Sequence, residues 1–206
     1  RTGGPFPLYL SDSGDNPTAG STSDCTGFLR RIMEDPRTDE LETPVVFGGI
    51  YDPEATLLCR DKVGQELTLT FGAKFDRSSS VPITAKGTVL AYIKGWNKFH
   101  GVGDIALFRS CGVDIVLSEN HIGYGLPAVF DDLGRNPADM QIVVCKLGYL
   151  TAQQAAYAKR SIMALSKGST NEDLTSLDYR HIPRPIFPLD KDFSFEPAEN
   201  LIRKTK

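Results

Sequence analysis

Hydrophobic residues along this chain follow two periods, and the switches between them predict the order of its elements. Leu8-Tyr9-Leu10 is a short apolar run that ends in a turn-rich stretch from Ser11 to Gly20, which predicts a strand and then a loop. Cys25, Phe28, Leu29, Ile32 and Met33 then fall at i, i+3, i+4, i+7 and i+8, the stripe of a helix lying on a sheet. Ser21, Thr22 and Asp24 are each placed to cap that helix. The run from Val45 to Ile50 predicts a second strand. It leads into Asp52-Pro53-Glu54: an N-cap, a proline at the first helical position and an acid in the first turn. The helix through Leu57 and Leu58 should stop at Gly64.

The middle of the chain changes period. Leu67, Leu69 and Phe71 alternate with polar residues, and Val81, Ile83, Ala85, Val89, Ala91 and Ile93 fall at two-residue spacings over a long extended run. That pattern predicts an antiparallel hairpin or meander with one wet face. Continuous apolar strands return at 113–117 and 141–145, as positions buried on both faces require. Between them Pro127, Val129, Phe130 and Leu133 signal a short helix closed by Gly134. Thr151 to Gln154 reads as a capping box, and 161–165 as a last strand. The proline-punctuated stretch 180–190 is expected to be extended, wrapping the surface. The fold class is therefore α/β: a mixed, partly parallel sheet flanked by helices, with an antiparallel hairpin or meander insertion. No linker interrupts residues 1–206, so one domain is expected.

Composition narrows the function classes. With 206 residues, 40% hydrophobic and 24% charged, the chain is an ordinary globular protein long enough to bury a core unaided. A formal net charge of -3 and the absence of a basic stripe argue against a nucleic-acid partner. The clustered cations Arg203, Lys204 and Lys206 read as a solvated terminal tail. Cys25, Cys59, Cys111 and Cys145 form no CxxC pair and sit in apolar runs, so buried free thiols are expected. No signal peptide or membrane span is visible, which points to the cytoplasm. The chain opens at Arg1 without a methionine and enters a strand at once, as a piece of a larger protein would.

Candidate chemistry is sparse. The segment from Ser11 to Asp24 lies after the first strand and before the first helix, where open α/β sheets place ligands. Its aspartates argue against a phosphate cradle and suit a hard cation better. Its spacing is neither a Walker loop nor an EF-hand, and an Asx-turn with no ligand accounts for it equally. His100, His121 and His181 are far apart and form no HExxH or HxH pair, so no metal site is read from this chain. There is no GxSxG elbow. Glu119 and His121 follow a core strand and are candidates for acid–base work, against a loop that merely caps the sheet. Lys146 ends another core strand and is placed toward the same edge.

In order along the chain, these motifs resemble one family. Asp12-Ser13-Gly14-Asp15-Asn16-Pro17-Thr18-Ala19-Gly20 is similar to the DxGDNPxxG signature opening the carboxy-terminal domain of MlrC-type proteins, named for a microcystin-degradation metallopeptidase. The similarity continues through 50–54, 112–118, 143–146 and 184–190. The resemblance implies zinc ligands in an amino-terminal domain that this chain lacks, with no cofactor held here. It implies that this domain packs on that metal domain and that its polar turns shape the cleft for a peptide or small-molecule substrate. The residues it carries over are Asp12, Gly14, Asp15, Asn16, Gly20 and Lys146. Two departures are visible. Thr18-Ala19-Gly20 stands where many relatives have a glycine triplet, and Leu147-Gly148-Tyr149-Leu150 where many have a His-Phe pair.

Three functions follow as expectations. The first is a half of a zinc-dependent hydrolase that completes its cleft and shows an apolar docking patch. The second is an independent module binding a small anion or divalent cation at the Asp12–Gly20 turn. The third is an autonomous enzyme using Glu119, His121 and Lys146.

Overall fold

A computed structural model describes residues 4–98 and 101–194. His100, Arg203, Lys204 and Lys206 lie outside the described residues. The chain falls into two compact units, one through Glu172 and one from Asp173 onward.

The first unit is built on one eight-stranded sheet. Its strands are β1 (Leu8–Asp12), β2 (Val45–Tyr51), β3 (Glu66–Phe71), β4 (Ile83–Asn97), β5 (Val102–Ser110), β6 (Val113–Ser118), β7 (Ile142–Cys145) and β8 (Arg160–Ala164). Their spatial order is β3-β4-β5-β6-β2-β7-β1-β8. From β6 to β8 all neighbours are parallel, and β3 to β6 form an antiparallel meander. The expected mixed architecture is present. The sequence pattern passed over β5, the strand that joins the two halves. Gly101, Gly103 and Asp104 break the alternation at its start, while Ile105 to Phe108 are buried on both faces.

Alternation in the core strands divides two hydrophobic layers. Val45, Phe47, Val113, Ile115, Leu117 and Val144 face one core, with Leu29 of helix α1 (Gly27–Glu34) and Ala55 of α2 (Pro53–Leu58). Val46, Val116, Val143 and Cys145 face the other, with Val129 and Phe130 of α3 (Ala128–Asp132). Helix α4 (Ala152–Tyr157) opens with the expected capping box between Thr151 and Gln154. Asp52 caps α2 by accepting from the Ala55 amide.

Three local expectations change. Helix α1 starts at Gly27 behind Thr26, so Ser21, Thr22 and Asp24 do not cap it. The side chains of Ser21 and Asp24 bond instead into the loops at the sheet edge, as described below. Helix α2 ends at Leu58, short of Gly64, and its Leu57 and Leu58 are exposed. Cys111 is exposed rather than buried, because Cys111-Gly112 is the two-residue turn of the β5–β6 hairpin. Both residues have positive φ, 47° and 69°, as a turn matching the strands' twist requires.

The second unit contains a short 3-10 turn, Leu174–Ser176, and no strand or helix in 180–190, as the prolines predict. Arg184 pairs there with Asp190.

One charge sits inside a core strand. Asp114 of β6 is fully buried and accepts from Arg109 at 2.6 Å and Arg135 at 2.5 Å. Arg109 is its cross-strand neighbour on β5 and Arg135 follows α3, so the carboxylate leaves water already paired. Asp114→Asn should therefore lower stability by roughly 1.5–3 kcal/mol in urea unfolding, the range for hydrogen bonds to charged groups. A shift below about 0.5 kcal/mol, the scale of an ordinary surface substitution, would show that the pair is dispensable.

Candidate functional site

The parallel strands β6, β2, β7, β1 and β8 end on one edge of the sheet. Loops gather there, as they do where open α/β sheets bind ligands. After β1 the chain makes two 3-10 turns, Ser13–Asp15 and Pro17–Ala19. The Asn16 side chain accepts from the Thr18 amide at 3.0 Å, an Asx-turn that starts the second. Gly20 closes it with φ of 94°, a left-handed conformation that favours glycine. Gly14 is needed for a different reason. A Cβ there would lie 2.2 Å from the Ser166 carbonyl oxygen in the loop after β8.

Lys146 organises this edge. It follows β7, is fully buried, and places Nζ 2.6 Å from Asp15 Oδ2 and 3.4 Å from Asp12 Oδ2. Nζ also donates to the Cys25 carbonyl at 2.9 Å and lies 5.6 Å from the Phe47 ring centroid. Asp15 accepts further from Ser21 Oγ at 2.6 Å, Ser23 N at 2.7 Å and Cys25 N at 2.7 Å. Ser166 donates to Asp12. Burial alone would push Asp15 up, but Lys146 and these donors outweigh it and hold its carboxyl below the usual range. Asp12, farther from the ammonium, is pushed up by burial. Burial opposes the charge on Lys146, and the two carboxylates overcome it and hold its pKa above the ordinary value.

The clamp reaches outward through the loop it fixes. Asp24 is fully buried and accepts from the amides of Phe75 at 2.7 Å and Asp76 at 3.3 Å. Its carbonyl takes the Ala73 amide, and the Ser23 carbonyl takes the Tyr51 amide. The loop after β8 is tied in by Gly14 N to Ser166 Oγ at 3.0 Å and Asn16 N to Thr170 Oγ1 at 2.9 Å. Four loops are thus fastened to one another at the strand ends. Ser166, Thr170, Tyr51 and Phe75 carry no signal of this role in the sequence, and Asp24 reads there as a cap or as one of the aspartates suited to a cation.

The other predicted residues take separate places. His121 is exposed, and its Nε2 donates to the Thr22 carbonyl at 2.8 Å, which leaves Nδ1 as an acceptor in the neutral ring. Glu119 accepts from the Asp104 amide at 2.9 Å. Among the described residues no hydrogen bond joins Glu119, His121 and Lys146 to one another, so they form no acid–base relay. A groove of about 300 Å³ opens between Pro17, Thr18, His121, Ile122, Gly123 and Tyr149.

For metal chemistry the donor set does not fit. Among the described residues no group of three or more His, Cys, Asp or Glu is placed to hold an ion. The Asp12 and Asp15 carboxylates are spent on Lys146 and on loop donors, so the opening turn offers no free set of oxygens to a cation.

The sequence profile described as MlrC C-terminus matches residues 10–181. The chain belongs to this family. Microcystinase C from Sphingomonas sp. is 26% identical over 191 residues, which is 90% of this chain and 36% of that protein. A solved structure from Mesorhizobium sp. BNC1, described as a candidate metallopeptidase, superimposes with a TM-score of 0.73 at 22% identity. It is matched over 92% of this chain and 39% of its own. The MlrC C-terminal fold is therefore shared, and the chain spans well under half the length of either relative.

Two tests follow from the clamp. Lys146→Met and Asp15→Asn should each cost about 3–5 kcal/mol in urea unfolding, since each strands a buried charge. The double variant should cost much less than their sum; additive losses would mean that the pair is not coupled. The pH dependence has opposite signs for the two acids. Stability from Asp15 is present above its unfolded pKa and lost as pH falls through its lowered folded value. Asp12 has a raised folded pKa, so its ionisation costs stability as pH rises through it. Asp12→Asn should therefore compare better with the parent at neutral than at mildly acidic pH, and a difference that does not change with pH would contradict this.

Proposed function

We propose that this chain is the carboxy-terminal domain of a zinc-dependent hydrolase of metallopeptidase type, forming one wall of its substrate cleft. Zinc is held by an amino-terminal domain of the same polypeptide, and no residue of this chain is assigned to it. The observation that carries the reading is the Lys146-centred clamp. It spends buried charge to fix loops around an open groove, which is how a scaffold pre-organises a binding wall. The candidate cleft residues are Asp12, Gly14, Asp15, Asn16, Gly20 and Lys146 behind the wall, with His121 at its surface and Glu119 beside it.

Support comes from several sides. The family match and the metallopeptidase description of a relative point to hydrolysis. The name Microcystinase C points to a peptide-like substrate for that relative. In this chain, a free Nδ1 on His121 suits a substrate N–H. The docking partner is the amino-terminal domain, and two apolar features suit it. One is a groove of about 350 Å³ whose lining includes Leu10, Phe28, Ile32, Leu41 and Ile142. The other is edge strand β8, whose Ile162 and Met163 are about half exposed. Free cysteines suit a cytoplasmic protein. No described helix is long and apolar enough to cross a membrane.

Thr18→Trp, introduced into the full-length protein, tests the wall. Filling the groove should raise KM for peptide hydrolysis about tenfold with kcat and zinc content unchanged. An unchanged KM would remove the groove from the cleft, and lost zinc would place the metal on this domain.

A further inference from the structure

An aromatic row runs along the same edge and is not used by the clamp. The Tyr51 ring stacks on Phe75 with centroids 5.0 Å apart and planes 17° apart. It also meets His121 at 4.0 Å and 33°. Phe75 is 56% exposed although its backbone is held by the buried Asp24 carboxylate. An exposed ring on a flexible loop would need no explanation, but here the chain fixes the loop and leaves the ring in water. Tyr149, 63% exposed, lines the same groove. His121 belongs to both features: it ends the row and lines the groove. Its ring cannot turn freely, because Nε2 is tied to the Thr22 carbonyl at 2.8 Å.

From this we propose that the groove is a specificity site for a planar aromatic side chain, which would pack on the Tyr149 and His121 rings that line it. The proposal rests on the hydrolase reading for the class of molecule, a peptide, and adds which side chain it selects. The size agrees: about 300 Å³ lies at the lower end of ligand pockets and suits one ring rather than a whole peptide. The lining agrees as well. Half-buried Pro17 supplies apolar surface beside the buried Ile122-Gly123 floor, and the two rings offer faces for offset stacking. Tyr51 and Phe75 back His121 and keep its plane in place. Among the described residues no lysine or arginine lines the groove.

The test uses the full-length protein and two probes, acetyl-Gly-Phe-Gly-amide and the same peptide with cyclohexylalanine, whose ring is similar in size and apolar but puckered and without a π face. Calorimetric titration should show the phenylalanine peptide binding about fivefold more tightly, the scale of one stacking contact. Tyr149→Ala, a change at an exposed position, should reduce that preference to near parity, and His121→Ala should do the same. Tyr149→Phe should keep it. Equal affinity for the two probes, no binding of either, or a preference that survives both alanine variants would overturn the proposal. Hydrolysis is measured separately on the same samples. Ring preference without any peptide cleavage would retain this site and overturn the hydrolase reading. Cleavage without ring preference would do the reverse.

Discussion

A lysine with no exposure to water constrains the loops at the carboxyl ends of the parallel strands. Taking an ammonium out of water costs several kcal/mol unless partners surround it. The fold surrounds Lys146 with two carboxylates, a carbonyl and an aromatic face. Those carboxylates come from the turn after β1, so the turn has to fold back over the end of β7. Once there, Asp15 also gathers the amides of Ser23 and Cys25, and the next loop follows. The loops at this edge are tied together because one buried charge needs these donors and acceptors in place together. The same demand gives the turn's aspartates a role that needs no metal.

Much of the scaffold is written in local patterns. Strict alternation in β3 and in the first part of β4, continuous apolar runs in β6 and β7, and caps at Asp52 and Thr151 are properties of short windows, and they predict the mixed sheet. Strand β5 was missed because glycines and an aspartate break its alternation, and only its neighbours on both sides show that it is central. Helix α1 starts later than its cap residues suggest for a related reason. Ser21 and Asp24 have stronger partners in Asp15 and in the 75–76 amides than a helix end offers, and those partners are distant in sequence. Cys111 shows the opposite limit: an apolar neighbourhood in sequence is a hairpin tip in space.

The site was legible as a list of residues but not as an arrangement. Asp12, Asp15 and Lys146 were singled out by motif and position, and the structure joins them in one cluster. Glu119 and His121 were read together because they are close in sequence, yet each bonds to a different backbone group. What replaces that relay is a division of labour. Buried groups hold loops, and exposed rings on those loops meet the solvent. Such a division suits a domain that positions a substrate while the bond-breaking chemistry is supplied from elsewhere.

The most direct test is the metal content of this chain, purified without a metal-affinity tag and dialysed against metal-free buffer. The account predicts that zinc, magnesium and calcium are all absent at stoichiometric levels, because Lys146 already neutralises the carboxylates at the strand ends. A stoichiometric ion retained through dialysis would contradict it, since that ion would have to displace the ammonium from Asp12 and Asp15 or draw on ligands that this fold does not bring together.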